Sequence, residues 1–203
     1  MKCANGHQRL TGTTLTALYN LRLSGLLLLA CLGVSAQVGA QQRIDPMAAT
    51  AVPTFSMVAR SFIGLADAMP ADRWSFKPTE GEFSGVRTFA EQVKHVACSN
   101  FGFFNQVEKI EPPESCGTGG PRPATTKAEL MTYLRESFQY ADRVLRMTTS
   151  ANALDPVSGP YGGDRTRLGL AALALWHASD HYGQLVVYLR MNGLVPPASQ
   201  ARQ

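Results

Sequence analysis

The chain has 203 residues, 45% of them hydrophobic, and a formal net charge of +4, enough for one domain with a proper core. Lys2, Arg9 and Arg22 carry three of those charges, and residues 1–40 contain no Asp or Glu. The remaining 203 − 40 = 163 residues therefore sit near 4 − 3 = +1, without the basic stripe and interleaved aromatics that nucleic-acid binding requires.

Residues 1–40 have the order of a secretory signal peptide: a basic region, an apolar run from Leu23 to Val34, then small residues. The apolar run is too short for a membrane span, which needs roughly 20 residues. Val38-Gly39-Ala40 places cleavage after Ala40, leaving residues 41–203 as the exported domain, periplasmic or secreted. Leu28-Leu29-Ala30-Cys31 also matches a lipobox, in which Cys31 would carry a lipid anchor. Cys98 and Cys116 remain in the exported part, where an oxidising compartment allows a disulfide between them.

In chain order, Phe55, Val58, Phe62, Leu65 and Met69 mark one apolar face and predict a helix over about 53–69, stopped by Pro70. The stretch 71–85 holds Trp74 and Phe76 among Pro and Gly and reads as a loop packed onto the domain. Ser84 is the expected cap of a second helix, about 86–110, with the stripe Phe89, Val93, Val96, Ala97, Asn100, Phe104 and Val107. A Pro/Gly-rich loop follows over 111–125. Thr126 and Glu129 form a capping-box pattern that opens a third helix, ending near Met147. After a loop over 152–163, Asp164 is the expected cap of a fourth helix, 165–191, stopped by Asn192-Gly193 and Pro196-Pro197. Four amphipathic helices and no clear strand give an all-α four-helix bundle.

His177 and His181 are spaced i, i+4 on the face that carries Leu170, Leu173, Ala174, Gln184 and Tyr188, so both imidazoles point inward. Buried together, two neutral rings need either hydrogen-bond partners or a divalent metal that takes one nitrogen from each. The intervening Ala178-Ser179-Asp180 lacks the Glu of a zinc-protease motif. His95 stands mid-helix but off the main apolar stripe, toward Glu91, Cys98, Ser99 and Gly102, and faces either solvent or a cavity beside another helix. Asp180 is a candidate general base or orienting carboxylate, against a salt bridge at the rim with Arg165 or Arg143. Gln184 could serve a metal-bound water, Glu91 could be a fourth ligand or an exposed helix residue, and Trp74 and Trp176 could wall a pocket or fill core.

The run His177-Ala178-Ser179-Asp180-His181-Tyr182-Gly183-Gln184, followed by Tyr188-Leu189-Arg190-Met191-Asn192-Gly193-Leu194-Val195-Pro196-Pro197, resembles the C-terminal signature of the DinB-like superfamily, which includes the YfiT-like metal-dependent hydrolases. Phe89 to Ala97 is similar to the segment with that family's first histidine, and Trp74 to Pro78 with Gly81 and Ser84 to its approach to that helix. The resemblance runs from about Thr54 to Pro197. It implies an up-down-down-up bundle and a divalent metal, zinc or nickel foremost, on His95, His177 and His181. It further implies either hydrolysis of a small-molecule substrate or metal-dependent thiol transfer. Export disfavours the thiol route, because low-molecular-weight thiols are scarce outside the cytoplasm. A non-catalytic metal- or ligand-binding module is the alternative, and a dimer is left open.

Overall fold

The computed structural model describes residues 44–109, 125–159 and 164–200. The leader, its cleavage site, Cys31 and Cys116 lie outside them. The described part belongs to one compact unit, Ile44–Gln203, made of α1 (Pro46–Ala68), α2 (Phe89–Glu108), α3 (Lys127–Arg146), a hairpin of β1 (Pro156–Ser158) and β2 (Asp164–Thr166), and α4 (Arg167–Met191).

The helix boundaries follow from local caps. α1 starts seven residues earlier than expected, at Pro46 rather than Pro53, because the Asp45 carboxylate accepts from Met47 N at 2.9 Å and Pro46 occupies the first turn. Pro is harmless there, where the N–H would be unpaired anyway. Pro53 is accommodated inside the helix, on its exposed side. α2 starts at Phe89 and not at 86, since Thr88, rather than Ser84, makes the capping box with Glu91. The expected Thr126–Glu129 box opens α3. At α4 the cap is Thr166, whose hydroxyl accepts from Gly169 N at 3.0 Å, in place of Asp164. Asp164 instead sits in β2 opposite Ser158, with Pro156 opposite Thr166. This hairpin replaces part of the loop expected over 152–163. It forms because β-prone Val157 and Thr166 sit in short extended runs on either side of a Pro/Gly turn sequence. α4 ends in a Schellman motif: Leu194 N reaches Leu189 O at 3.0 Å and Gly193 N reaches Arg190 O at 2.9 Å. Gly193 supplies the required left-handed φ of 73°.

Contacts give the helix directions. Ser56 bonds Asp142, and Lys127 reaches back to Asp67 and Met69, so α1 and α3 are antiparallel. Asn100 bonds Ser137, and further along Glu108 bonds Arg143, so α2 and α3 are parallel neighbours. Gln92 meets His181 while His95 meets His177, so α2 and α4 are antiparallel. The order is up-down-down-up, as the family resemblance implies.

The core is aromatic-rich, with Phe55, Phe62, Phe104 and Phe138 in mutual edge or tilted contact at 5.7–6.0 Å. Every residue of the expected α2 stripe is buried, and so are Leu130, Leu134, Phe138, Ala141 and Leu145 of α3. The 71–85 segment does pack on the bundle: Trp74 Nε1 donates to Met69 O and its ring meets Phe89. Its carbonyls also serve the start of α2, with Ala90 N on Trp74 O and Phe89 N on Phe76 O, both at 2.9 Å. α1 is long and apolar enough to cross a membrane, but Phe55, Phe62 and Leu65 bury one face of it in the bundle.

Leu134 is fully buried, so Leu134→Ala should lower the unfolding free energy by about 2–5 kcal/mol. Chemical denaturation with an unchanged m-value would check it.

Candidate metal centre

The centre lies between α2 and α4. Those two helices cross antiparallel, which places position 95 of one beside positions 177 and 181 of the other. His177 Nε2 and His95 Nε2 are 3.1 Å apart. The three rings pack edge to face, with centroids 4.7–5.0 Å apart. One ligand atom from each falls within 4.8 Å of the others, and together the three could hold a metal ion. Two nitrogens on one tetrahedral ion at 2.0–2.1 Å would stand roughly 3.3 Å apart, close to the observed His177–His95 spacing.

His181 is oriented by a residue that the periodicity did not single out. Gln92 is 2% exposed, and its Oε1 lies 2.8 Å from His181 Nδ1. An amide oxygen only accepts, so Nδ1 carries the proton and Nε2 is left as a lone pair. The signal for Gln92 was available as an amide on the buried side of α2, one turn before His95. Phe103 forms an apolar wall, edge-on to His177 at 5.3 Å.

Burial keeps all three rings neutral. It pushes His177 down to about 3 and His95 to about 4, with His181 next to His95 and both His181 and His95 next to His177 adding repulsion. His181 is lowered too, mainly by burial, with Asp180 opposing the shift. Arg87, exposed before the first turn of α2, disfavours a proton on all three rings. Its backbone is tied to α4 by Tyr188, whose hydroxyl donates to Arg87 O at 3.1 Å. Neutral imidazole is the form that ligates metal. His177 Nδ1 is buried without a partner among the described residues, a cost of about 1–3 kcal/mol.

The other candidates lie elsewhere. Asp180 is exposed and accepts from Gln184 Nε2 at 2.8 Å. Of the salt-bridge partners considered for it, Arg143 pairs with Glu108 at 2.8 Å and Arg165 stands in β2 opposite Val157. Gln184 lies close in angle to the histidines, but it is exposed and its amide donates to Asp180. Glu91 belongs to the capping box, its Oε2 accepting from Thr88 N at 2.7 Å, and is not at the cluster. Trp74 is core, while Trp176 is 60% exposed on the outer side of α4. Cys98, one turn after His95, is disulfide-bonded, and its partner lies outside the described residues.

An up-down-down-up helical bundle with three neutral imidazoles gathered between its second and fourth helices defines a class of candidate metalloprotein. Residues 54–185 match the model of the DinB superfamily, and the chain belongs to that family. No curated protein matches it. Similar solved structures include a DinB-like protein from Bacillus subtilis, with a TM-score of 0.57 and 23% identity over 76% of this chain and 99% of that one. Another is a DinB-like protein from Bacillus cereus, with a TM-score of 0.60 and 15% identity over 72% and 93%. A third is YfiT from Bacillus subtilis, described as a probable metal-dependent hydrolase with an unusual four-helix bundle topology, with a TM-score of 0.57 and 15% identity over 77% and 94%. At these identities the likeness establishes the fold.

The sign of the pH dependence follows from the depressed histidines. Above the unfolded value of 6.5 both states are neutral and these rings add no pH dependence to stability. Below it the unfolded chain takes up protons that the folded chain refuses until about 4 or 3. Metal-stripped protein should therefore lose thermal stability as pH falls from 6.5 toward 4, and His177→Phe should flatten that slope. Melting curves across the interval would check it.

Proposed function

We propose that His95, His177 and His181 hold a divalent metal ion, zinc or nickel, and that the protein is an exported metal-dependent hydrolase acting on a small molecule. The observation that carries this reading is the approach of His95 Nε2 and His177 Nε2 to 3.1 Å, beside a His181 whose tautomer is set by Gln92. A metal bound there would supply Lewis acidity and lower the pKa of a water at neutral pH.

The chain's own residues contribute orientation and environment. Gln92 accepts from His181 Nδ1, which leaves Nε2 with its lone pair for a ligand bond. Burial keeps the rings as neutral donors, and Phe103 keeps one side of the site dry. The Arg87 cation favours a substrate that carries an anionic group. Hydrolysis fits better than thiol transfer for an exported protein, and the disulfide at Cys98 agrees with an oxidising compartment. Removal of residues 1–40, or lipidation at Cys31, is part of the same reading and is decided by the N-terminus and mass of the mature protein.

A second reading, a non-catalytic metal-binding module, is favoured by one observation. Among the described residues no carboxylate joins the cluster, and Asp180 is exposed and bonded to Gln184. The two readings part on turnover: a metal-loaded protein inactive across ester, amide and lactone panels supports the module.

Elemental analysis of untagged protein should find about one divalent ion per chain, and the double variant H177A/H181A should hold none. Metal retained by that variant would rule out these ligands. Gln92→Leu should keep the fold and lower metal affinity about 10–100-fold, read by competition with a chromogenic chelator. Arg87→Ala should raise KM for a carboxylate-bearing ester and leave a neutral ester unaffected.

A further inference from the structure

The bundle has a second concave site, on the side away from the histidines. α1 packs on α3 and α4, and α2 packs on the same two helices. The groove between α1 and α3 is therefore the one opposite the α2–α4 groove that holds the metal centre. It contains a cavity of about 390 Å³, within the range of small-molecule sites.

The floor of this cavity is apolar. Phe55 and Phe138 form its base, with Ala59 and Ile63 of α1 beside them. The two rings are 5.7 Å apart, and Phe55 also packs on Phe104 of α2, so the base is fixed by the core. The rim is cationic. Arg60 of α1 and Arg135 of α3 both line the cavity, and both are exposed. Ser56 meets Asp142 across the two antiparallel helices. In that register Arg60 stands opposite Phe138, so the two arginines lie within about one helical turn, 5.4 Å, of each other along the groove.

The charges at this rim do not cancel within the chain. Asp142, the acidic residue of the cavity, already takes Arg146 at 2.6 Å and the Ser56 hydroxyl at 3.1 Å. Asp67, further along α1, pairs with Lys127. Neither arginine has an Asp or Glu three or four residues away on its own helix, where a helix places a compensating partner. Among the described residues no carboxylate pairs with Arg60 or Arg135. Two uncompensated guanidiniums on facing helices, above an apolar floor, complement a ligand with an anionic head and an apolar body. The planar fork of arginine matches a carboxylate in two-point contact.

We propose that the α1–α3 groove binds a small organic carboxylate, its head held by Arg60 and Arg135 and its aromatic or short-chain body seated on Phe55, Ala59, Ile63 and Phe138. This second site is independent of the metal reading, because none of its residues belongs to α2 or α4.

Titration of the metal-loaded protein with phenylbutyrate, followed through its amide resonances, locates the site. Saturable shifts should appear over Ser56–Ile63 and Arg135–Asp142. The neutral analogue phenylbutanol should bind about tenfold more weakly or worse, and so should phenylbutyrate on the double variant R60Q/R135Q, as loss of charge-assisted hydrogen bonds dictates. Ala59→Phe, which fills the groove and keeps both charges, should abolish these shifts with unchanged helical circular dichroism. Bound metal should be unchanged in all variants. Shifts confined to the surroundings of His95, His177 and His181, or no saturable shift at millimolar probe, would overturn the proposal. Binding that survives in R60Q/R135Q or in folded Ala59→Phe would overturn it as well. Inorganic sulfate binding as tightly as phenylbutyrate would reduce the site to a plain anion patch and overturn the apolar half. Loss of metal in H177A/H181A with phenylbutyrate binding intact keeps the two sites distinguishable.

Discussion

The antiparallel contact between α2 and α4 is the constraint from which the rest of the centre follows. It depends on the up-down-down-up order, because α2 must run against α4 and with α3 at once. Its consequence is that one turn of α2, Gln92 to His95, faces one turn of α4, His177 to His181. Three imidazoles then share a space in which no charge is welcome. Each ring's burial opposes its own protonation, and a proton on one ring would repel a proton on the next. A cluster that cannot be protonated at neutral pH and cannot fully satisfy its nitrogens by hydrogen bonds is poorly suited to being simple core. The cost of the unpartnered His177 Nδ1 is about 1–3 kcal/mol. A zinc ion on protein ligands contributes on the order of 10 kcal/mol. A divalent ion held by the three rings would outweigh that cost, so the arrangement fits an ion better than a metal-free core.

The α2–α3 side of the bundle solves a different problem. Parallel neighbours bring polar residues of α2 against α3, and these pair with one another, Asn100 Oδ1 being left buried without a partner among the described residues. Asn100 Nδ2 donates to Ser137 Oγ at 3.2 Å, and Ser137 Oγ donates on to Leu134 O at 2.8 Å. Nearer the end, Tyr140 Oη lies 2.6 Å from Asn105 Oδ1 and 2.9 Å from Glu108 Oε2, with Arg143 closing on Glu108. Burial and the Glu108 carboxylate push the Tyr140 hydroxyl well above its ordinary range, while Arg143 holds Glu108 low. Such a network fixes register as well as adding stability, and register between α2 and α3 sets the height at which His95 meets α4.

How much of this was legible in the sequence depends on how many neighbours each helix has. α3 shows a clean stripe and an intact capping box, so its span was readable to within a residue or two. α2 touches both α3 and α4, and therefore needs two buried stripes. Phe89, Val93, Val96 and Phe104 dominate the hydrophobic pattern, and they hid the second stripe through Gln92, His95 and Phe103. That is why His95 looked misplaced and Gln92 was not singled out, although both are fixed by the same helix geometry. The caps were misplaced where two residues compete. Ser84 and Asp164 have capping chemistry, but Thr88 has the carboxylate of Glu91 three residues on, and Thr166 ends a strand that already points it into the helix. The hairpin was missed because three-residue strands carry almost no periodicity.

α4 shows the complementary limit. Its inward histidines were legible because an i, i+4 pair on an apolar face has a single geometric reading. Gln184 was grouped with them because it is close in angle, yet it turns outward and bonds Asp180. A helix with apolar residues on every side gives no contrast by which to orient it, so spacing alone could not separate the face that holds the ligands from the face that carries Trp176 and Val187. The separation appears only when the bundle takes one side and leaves the other in water.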